Sequence, residues 1–203
     1  MFYFCETLKP YQMHKLVVVV LSFSIISFLW VHQGTWKMDS AHSRLGFKAT
    51  HMGISDANGA FEKVTCTVTT TNDKDFSGAM FDLTAETNSI NTGLEARDNH
   101  LRSEEFFAVS QYPNIQFKSS SCTKLKGKKY LLKGNLSMHG VTKEVSLLAT
   151  HNGNAKNRAG LDVAGFKITG KFKRSDFGIG KDLPFSIVSD EVLLEADLEV
   201  IKN

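Results

Sequence analysis

The sequence predicts an all-β fold, its strands closed into an antiparallel barrel of about eight, with a short helical insertion near residues 94–107. Three observations carry this. Apolar and polar residues alternate with period two in stretch after stretch beyond Thr35, the pattern of strands with one buried and one wet face. Turn-forming residues punctuate the stretches: Asn58-Gly59, Asn72-Asp73, Lys126-Gly127-Lys128, His139-Gly140 and Asn152-Gly153-Asn154. Every stretch is apolar on one side only, so an open sheet would carry two raw edges that closure removes. A two-sheet sandwich would satisfy the same burial pattern.

The elements follow in chain order. In Ser43–His51, Leu45, Phe47 and Ala49 alternate with Arg44, Lys48 and Thr50. In Ala79–Ser89, Ala79, Phe81, Leu83 and Ala85 oppose Asp82, Thr84 and Glu86. Leu132, Leu136 and Met138 mark the strand at Tyr130–Met138, and Phe166, Ile168 and Phe172 the one at Phe166–Lys173. Val192 through Val200 repeats the pattern without a break. Further strands are expected at Phe61–Thr71, Ile115–Leu125 and Val141–His151. Neighbouring strands with short connections pair as hairpins.

One stretch departs from period two. Between Gly93 and Phe117, Arg97, Asp98, His100, Arg102, Glu104 and Glu105 crowd together ahead of Phe106-Phe107 and Tyr112-Pro113. Leu94, Leu101 and Glu105 fit one side of a short helix, with Arg97, Asp98 and Arg102 on the other, and Pro113 stops it. A charged helix that closes on two phenylalanines reads as a lid over an apolar interior.

Composition narrows the function. A net charge of +3 without a basic face speaks against nucleic acid. Fifteen Phe against four Tyr and two Trp favours purely apolar contact surface. The chain divides into an N-terminal segment, 1–34, and a barrel domain, 35–203. Leu16–Val31 carries no charge and follows His14-Lys15, which fits an export signal, whose apolar core runs about 7–15 residues. A retained membrane anchor is the alternative, because His32-Gln33-Gly34 is a poor cleavage site. Both place the barrel domain outside the cytoplasm. Of three cysteines, Cys66 shares parity with Val64 and Val68, whereas Cys122 shares parity with Gln116 and Lys118; opposite faces of a wall are not bridged.

No residue set points to catalysis. There is no GxSxG elbow, no HExxH or CxxC spacing and no glycine-rich phosphate loop; no cofactor and no metal are expected. Asp39-Ser40-Ala41-His42-Ser43 reads as a strand start with local capping. His51 shares parity with Leu45 and Phe47 and is expected to point inward, where it needs either a neighbouring side chain or a ligand's polar end. Arg97 and Arg102 either hold the helix by ion pairs or meet a polar head group at the mouth. Arg174 and Asp176 are candidates for the same network.

These residues together resemble the YceI-like family of lipocalin-like, polyisoprenoid-binding exported proteins. The resemblance runs from Trp36 to about Ile201 and rests on an ordered series. It begins with Trp36, Asp39, His42 and Ser43, then Phe47 with His51 and Asn58-Gly59 with Phe61. The insertion follows as Arg97-Asp98, His100-Leu101-Arg102-Ser103, Phe106-Phe107 and Tyr112-Pro113, then Ile115 and Phe117. Leu136, Met138-His139-Gly140-Val141-Thr142-Lys143, Arg174 with Asp176-Phe177-Gly178, and Asp190-Glu191-Val192 complete it.

The resemblance implies an eight-stranded antiparallel lipocalin-like barrel, exported to the periplasm, that binds a long-chain lipid or isoprenoid and performs no catalysis. Phe47, Phe81, Leu83, Phe106, Phe107, Phe117 and Phe177 are the expected apolar lining, with His51, Arg97 and Arg102 as polar contacts. A homodimer is left open, in which lid contacts between two barrels close a shared tunnel. Two other readings compete. One is a barrel enzyme using His51 or His100 as base, which requires a buried histidine beside a carboxylate. The other is a ligand-free stress or interaction protein with a filled core.

Overall fold

The structure is a computed structural model and describes residues 34–203. The apolar run Leu16–Val31 and Cys5 lie outside the described residues, as does nearly all of the 1–34 segment. Eleven strand segments are laid out along the chain: β1 (Gly34–Met38), β2 (Arg44–His51), β3 (Ser55–Phe61), β4 (Val64–Thr70), β5 (Met80–Glu86), β6 (Ile90–Asn91), β7 (Asn114–Lys124), β8 (Lys129–Met138), β9 (Val141–Lys156), β10 (Asp162–Lys173) and β11 (Val188–Lys202). The single α-helix among the described residues, α1, spans Glu95–Arg102.

All pairings are antiparallel, and β1 bonds both β4 and β11, which closes the ring. Three staves of the barrel are each built from two segments. β2 lies against Val188–Asp197 of β11 and β1 against Val200–Lys202, so β1 and β2 are two halves of one stave. β3 and β4 form the second, and β5 and β6 the third. Five unbroken strands complete a closed barrel of eight. Closure leaves the apolar face of every strand inside, and that face is the core: Leu45, Phe81, Phe117, Leu132, Leu136, Leu147, Phe166, Ile168, Ala196 and Leu198 are all buried.

The break between β1 and β2 is the capped strand start expected from Asp39 to Ser43. The Asp39 carboxylate accepts from the Ala41 N–H and hydrogen-bonds His42 Nδ1, both at 2.9 Å. The Ser43 hydroxyl donates to the Glu199 carbonyl and accepts from the Glu199 N–H.

Three local expectations fail for identifiable reasons. Asn58-Gly59 is no turn but the middle of β3; Gly59 is small because a Cβ there would lie 2.3 Å from the Phe47 ring. Asn152-Gly153-Asn154 likewise lies inside β9, beside a register shift at Gly165/Phe166. Cys122 faces the interior, not the outside, because a bulge between Ser119 and Ser121 reverses the phase of β7. Gly134 accommodates that bulge: a Cβ there would come within 2.4 Å of the Lys118 carbonyl. Both Cys66 and Cys122 remain free thiols. Burial pushes their pKa values to about 12 and about 11, so both stay protonated and weakly reactive.

The two ends of the barrel differ. One is plugged by the loop between β4 and β5, which folds Phe76 inward until it is fully buried. Its ring meets Trp36, His151 and Phe166 edge-on at 5.6, 5.1 and 4.8 Å. Asp75 in the same loop accepts from Lys124 Nζ and the Tyr130 hydroxyl. Asp73 accepts from the Trp36 indole N–H and pairs with Lys202. The other end is covered by α1 and by the segment between β10 and β11.

Candidate functional site

Two apolar cavities lie inside the barrel. The deeper one, about 50 Å³, is lined by Cys66, Phe81, Leu83, Phe117, Leu147 and Ile168 among others. The outer one, about 100 Å³, is lined by Phe47, Phe61, Leu101, Phe106, Phe107 and Arg174 among others. Both share Leu45, Ile115, Leu136, Phe172 and Leu194, so one layer of side chains divides what is otherwise a single tube. Cavities with such walls stay dry.

Six of the seven expected apolar positions line this tube. Phe81, Leu83 and Phe117 belong to the deep cavity; Phe47, Phe106 and Phe107 belong to the outer one. Phe47, Phe61 and Phe107 form a chain of ring contacts at 5.7 Å each. Phe177 is the exception. It is buried behind the wall, edge-on to Phe172 at 5.7 Å, and lines neither cavity.

The expected polar positions are placed differently. His51 is exposed: parity aims it inward, but it is the last residue of β2, at the rim of the wall, where the pairing with β11 shifts register between Val188 and Val192. The histidine that enters the barrel is His151, which shares parity with Leu147 and Ala149, a signal present in the sequence. His151 packs between Phe76 and Phe166, and Nε2 hydrogen-bonds Asn154 Oδ1 at 2.7 Å. His100 is exposed, paired with Glu105 at 2.9 Å and edge-on to Phe106 at 4.8 Å. Neither His51 nor His100 is the buried base beside a carboxylate that the enzyme reading requires.

Arg97 and Arg102 brace the lid. Arg97 donates to the Thr92 hydroxyl and carbonyl at 2.7 and 2.9 Å. Arg102 donates to the carbonyls of Asn88 and Ile90 at 3.0 and 2.8 Å. Asp98, expected on the wet side of the helix, is its buried residue, and it accepts from the Thr92 N–H at 2.8 Å. Leu94, expected on the packed side, is exposed. The helix thus docks through a polar knot around Thr92, a side-chain-to-backbone arrangement that apolar periodicity does not report.

Arg174 is not part of that network. It is 4% exposed, and its guanidinium donates to the carbonyls of Ser189, Ile179, Gly180, Leu183 and Val188. No carboxylate lies within ion-pair distance among the described residues. Burial lowers its pKa, and Asp190 opposes that shift. Five donors meeting five carbonyls make Arg174 the centre around which the segment between β10 and β11 is wrapped. Among the described residues one cluster, Asp39, His42 and Glu199, brings potential ligand atoms within 4.8 Å. It lies at the surface, and the Asp39–His42 hydrogen bond of the strand cap accounts for its closeness; that bond raises the His42 pKa.

Fold and site define a class: a small closed barrel with a dry, apolar, partitioned interior under a braced aromatic lid. The chain belongs to the YceI-like domain family, whose model matches residues 36–200. It is 34% identical over 190 residues to Protein YceI of Salmonella arizonae, covering 91% of this chain and 97% of that protein. Among solved structures it is similar to BcnA of Burkholderia cenocepacia, with 26% identity, a TM-score of 0.70 and coverage of 80% and 98%. The YceI protein of Campylobacter jejuni aligns with 30% identity, a TM-score of 0.68 and coverage of 76% and 90%. A polyisoprenoid-binding domain from Saccharophagus degradans shares the fold at 15% identity and a TM-score of 0.58, covering 83% and 98%.

Proposed function

We propose that the protein is an exported lipid carrier that holds one long-chain apolar molecule, of polyisoprenoid, quinone or fatty-acid type, along the barrel axis. The observation that carries this is the pair of apolar cavities sharing five flexible wall residues beneath a phenylalanine lid. Family membership and the polyisoprenoid-binding domain with the same fold agree with it.

The affinity would come from area. Each methylene withdrawn from water contributes roughly 0.8 kcal/mol. Ligand sites are usually about 300–1,000 Å³, so the present cavities accept a chain only when the dividing layer turns aside. Leu45, Ile115, Leu136, Phe172 and Leu194 can do this by rotamer changes, without breaking strand pairing. The plugged end, with Phe76 as floor, sets the depth to which a chain reaches. Any polar head stays near the lid. The uncharged run Leu16–Val31 supports export to the periplasm.

Mass spectrometry of an organic extract from purified protein tests the reading. A reproducible long-chain lipid, absent from Phe81→Trp and Leu83→Trp variants that block the deep cavity, is the expected result. An extract empty of lipid from the intact protein overturns it.

A further inference from the structure

The lid consists of two separate arms. The first, residues 93–111, contains α1 and ends on Phe106 and Phe107. The second, residues 174–189, comprises the connection from β10 to β11 and the first two residues of β11. Each is held on its own side. The first is fastened to the β6 region by Arg97, Asp98 and Arg102 acting on residues 88–92. The second is wrapped around Arg174, with Asp190 holding Ser175 and His139 Nδ1 donating to the Phe177 carbonyl.

Between the arms the connection is slight. Among the described residues one hydrogen bond crosses, from the Gly180 N–H to the Glu105 carbonyl at 2.9 Å. Beside it the Phe106 ring rests on Gly180, so closely that a Cβ at position 180 would lie 2.7 Å from that ring. Both arms line the outer cavity: Leu101, Phe106 and Phe107 from one, Arg174, Ile179 and Val188 from the other. Most of the remaining wall is strand-paired sheet, whose opening would break ladders of hydrogen bonds, and the free edge of β6 is held by the braced first arm. Parting the arms breaks that one hydrogen bond and uncovers the Phe106 ring, now 7% exposed, while leaving the strand ladders intact.

We propose that the ligand enters between these arms, and that the contact of Glu105 and Phe106 with Gly180 is the latch. This rests on the lipid-binding reading. Because each arm is internally braced, it swings as a unit, and the latch sets the rate of exchange more than the affinity. Phe106 is therefore both a wall residue and the residue that times access.

The test follows stopped-flow uptake of the fluorescent lipid parinaric acid. Phe106→Ala is expected to raise the association rate constant several-fold, which loss of wall area alone would not do. A Glu105→Cys, Lys181→Cys double variant, oxidised to a disulfide across the joint, is expected to load about tenfold more slowly, with reductant restoring the rate. An unchanged association rate in Phe106→Ala, or an oxidised variant that loads as fast as the parent, overturns the entrance assignment while lipid binding stands. Failure of the parent protein to take up the probe, together with a lipid-free extract, overturns the lipid-binding reading itself.

Discussion

The plugged end and the lidded end of this barrel are made from the same eight staves but held by different means. At the plugged end the strands, bulged beside Ser119 and Gly165, run into a floor of Trp36, Phe76, His151 and Phe166, with Asp73 and Asp75 fastening the loop to Lys202, Lys124 and Tyr130. At the lidded end the cover is built from loops wrapped on arginines. A sheet extended to both ends would be more stable and would admit nothing. The difference teaches that stability is concentrated at the floor, whereas the lid is rigid within each arm and weak between them. Local opening free energies follow this division, since segments with few ladder bonds open first.

Substitutions at the two ends should separate these roles. The largest effect is expected from Phe76→Ala, which leaves a void among three aromatic rings and should cost about 4 kcal/mol in urea denaturation. Its rate of probe uptake should be unchanged; a faster rate would mean that the floor also admits ligand. Arg174→Met strips five carbonyls of their donor and should cost about 3 kcal/mol. Hydrogen exchange should then rise in residues 179–189 and not in β7 or β8; protection lost evenly over the barrel would show that the arm is no separate unit.

The smallest effect concerns acid. Hydrogen bonding from Lys124 first, then from the Ser77 N–H, holds the Asp75 pKa below its ordinary value. A carboxyl depressed in the folded state stabilises above its unfolded pKa of about 3.9, and that contribution is lost as pH falls through the lower, folded value. Thermal melts of the parent should therefore weaken below about pH 4, and Asp75→Asn should flatten that part of the curve. Because Asp75 is only half-buried, solvent screens its pairing and the difference should be slight; identical acid curves would show that its pairing adds nothing to the floor.

The fold was legible in the sequence because period two is a direct imprint of a one-sided wall: Leu45, Phe81, Leu136, Phe166 and Leu198 all lie where alternation puts them. What escaped was phase and position. Cys122 turned inward because parity counting assumes an unbroken ladder, and one extra residue near Ser119 reverses it. His51 had the right parity at the wrong height, whereas His151, with equally good parity, lay at a level still inside the wall. Phe177 and Arg174 sit in a segment with no period at all, where packing is set by the carbonyl acceptors of Arg174 and no side-chain pattern exists to read. The polar knot at Thr92 escaped because it joins polar side chains and backbone groups, which apolar periodicity does not mark.

Both described ends of the chain meet at the floor: Gly34 pairs with Thr70, and the Asn203 N–H donates to the Thr35 carbonyl. A tether attached at either point would leave the arms on the far side, free to swing. Immobilised or fused at Gly34 or Asn203, the barrel would present its lid outward to solution or to a facing surface.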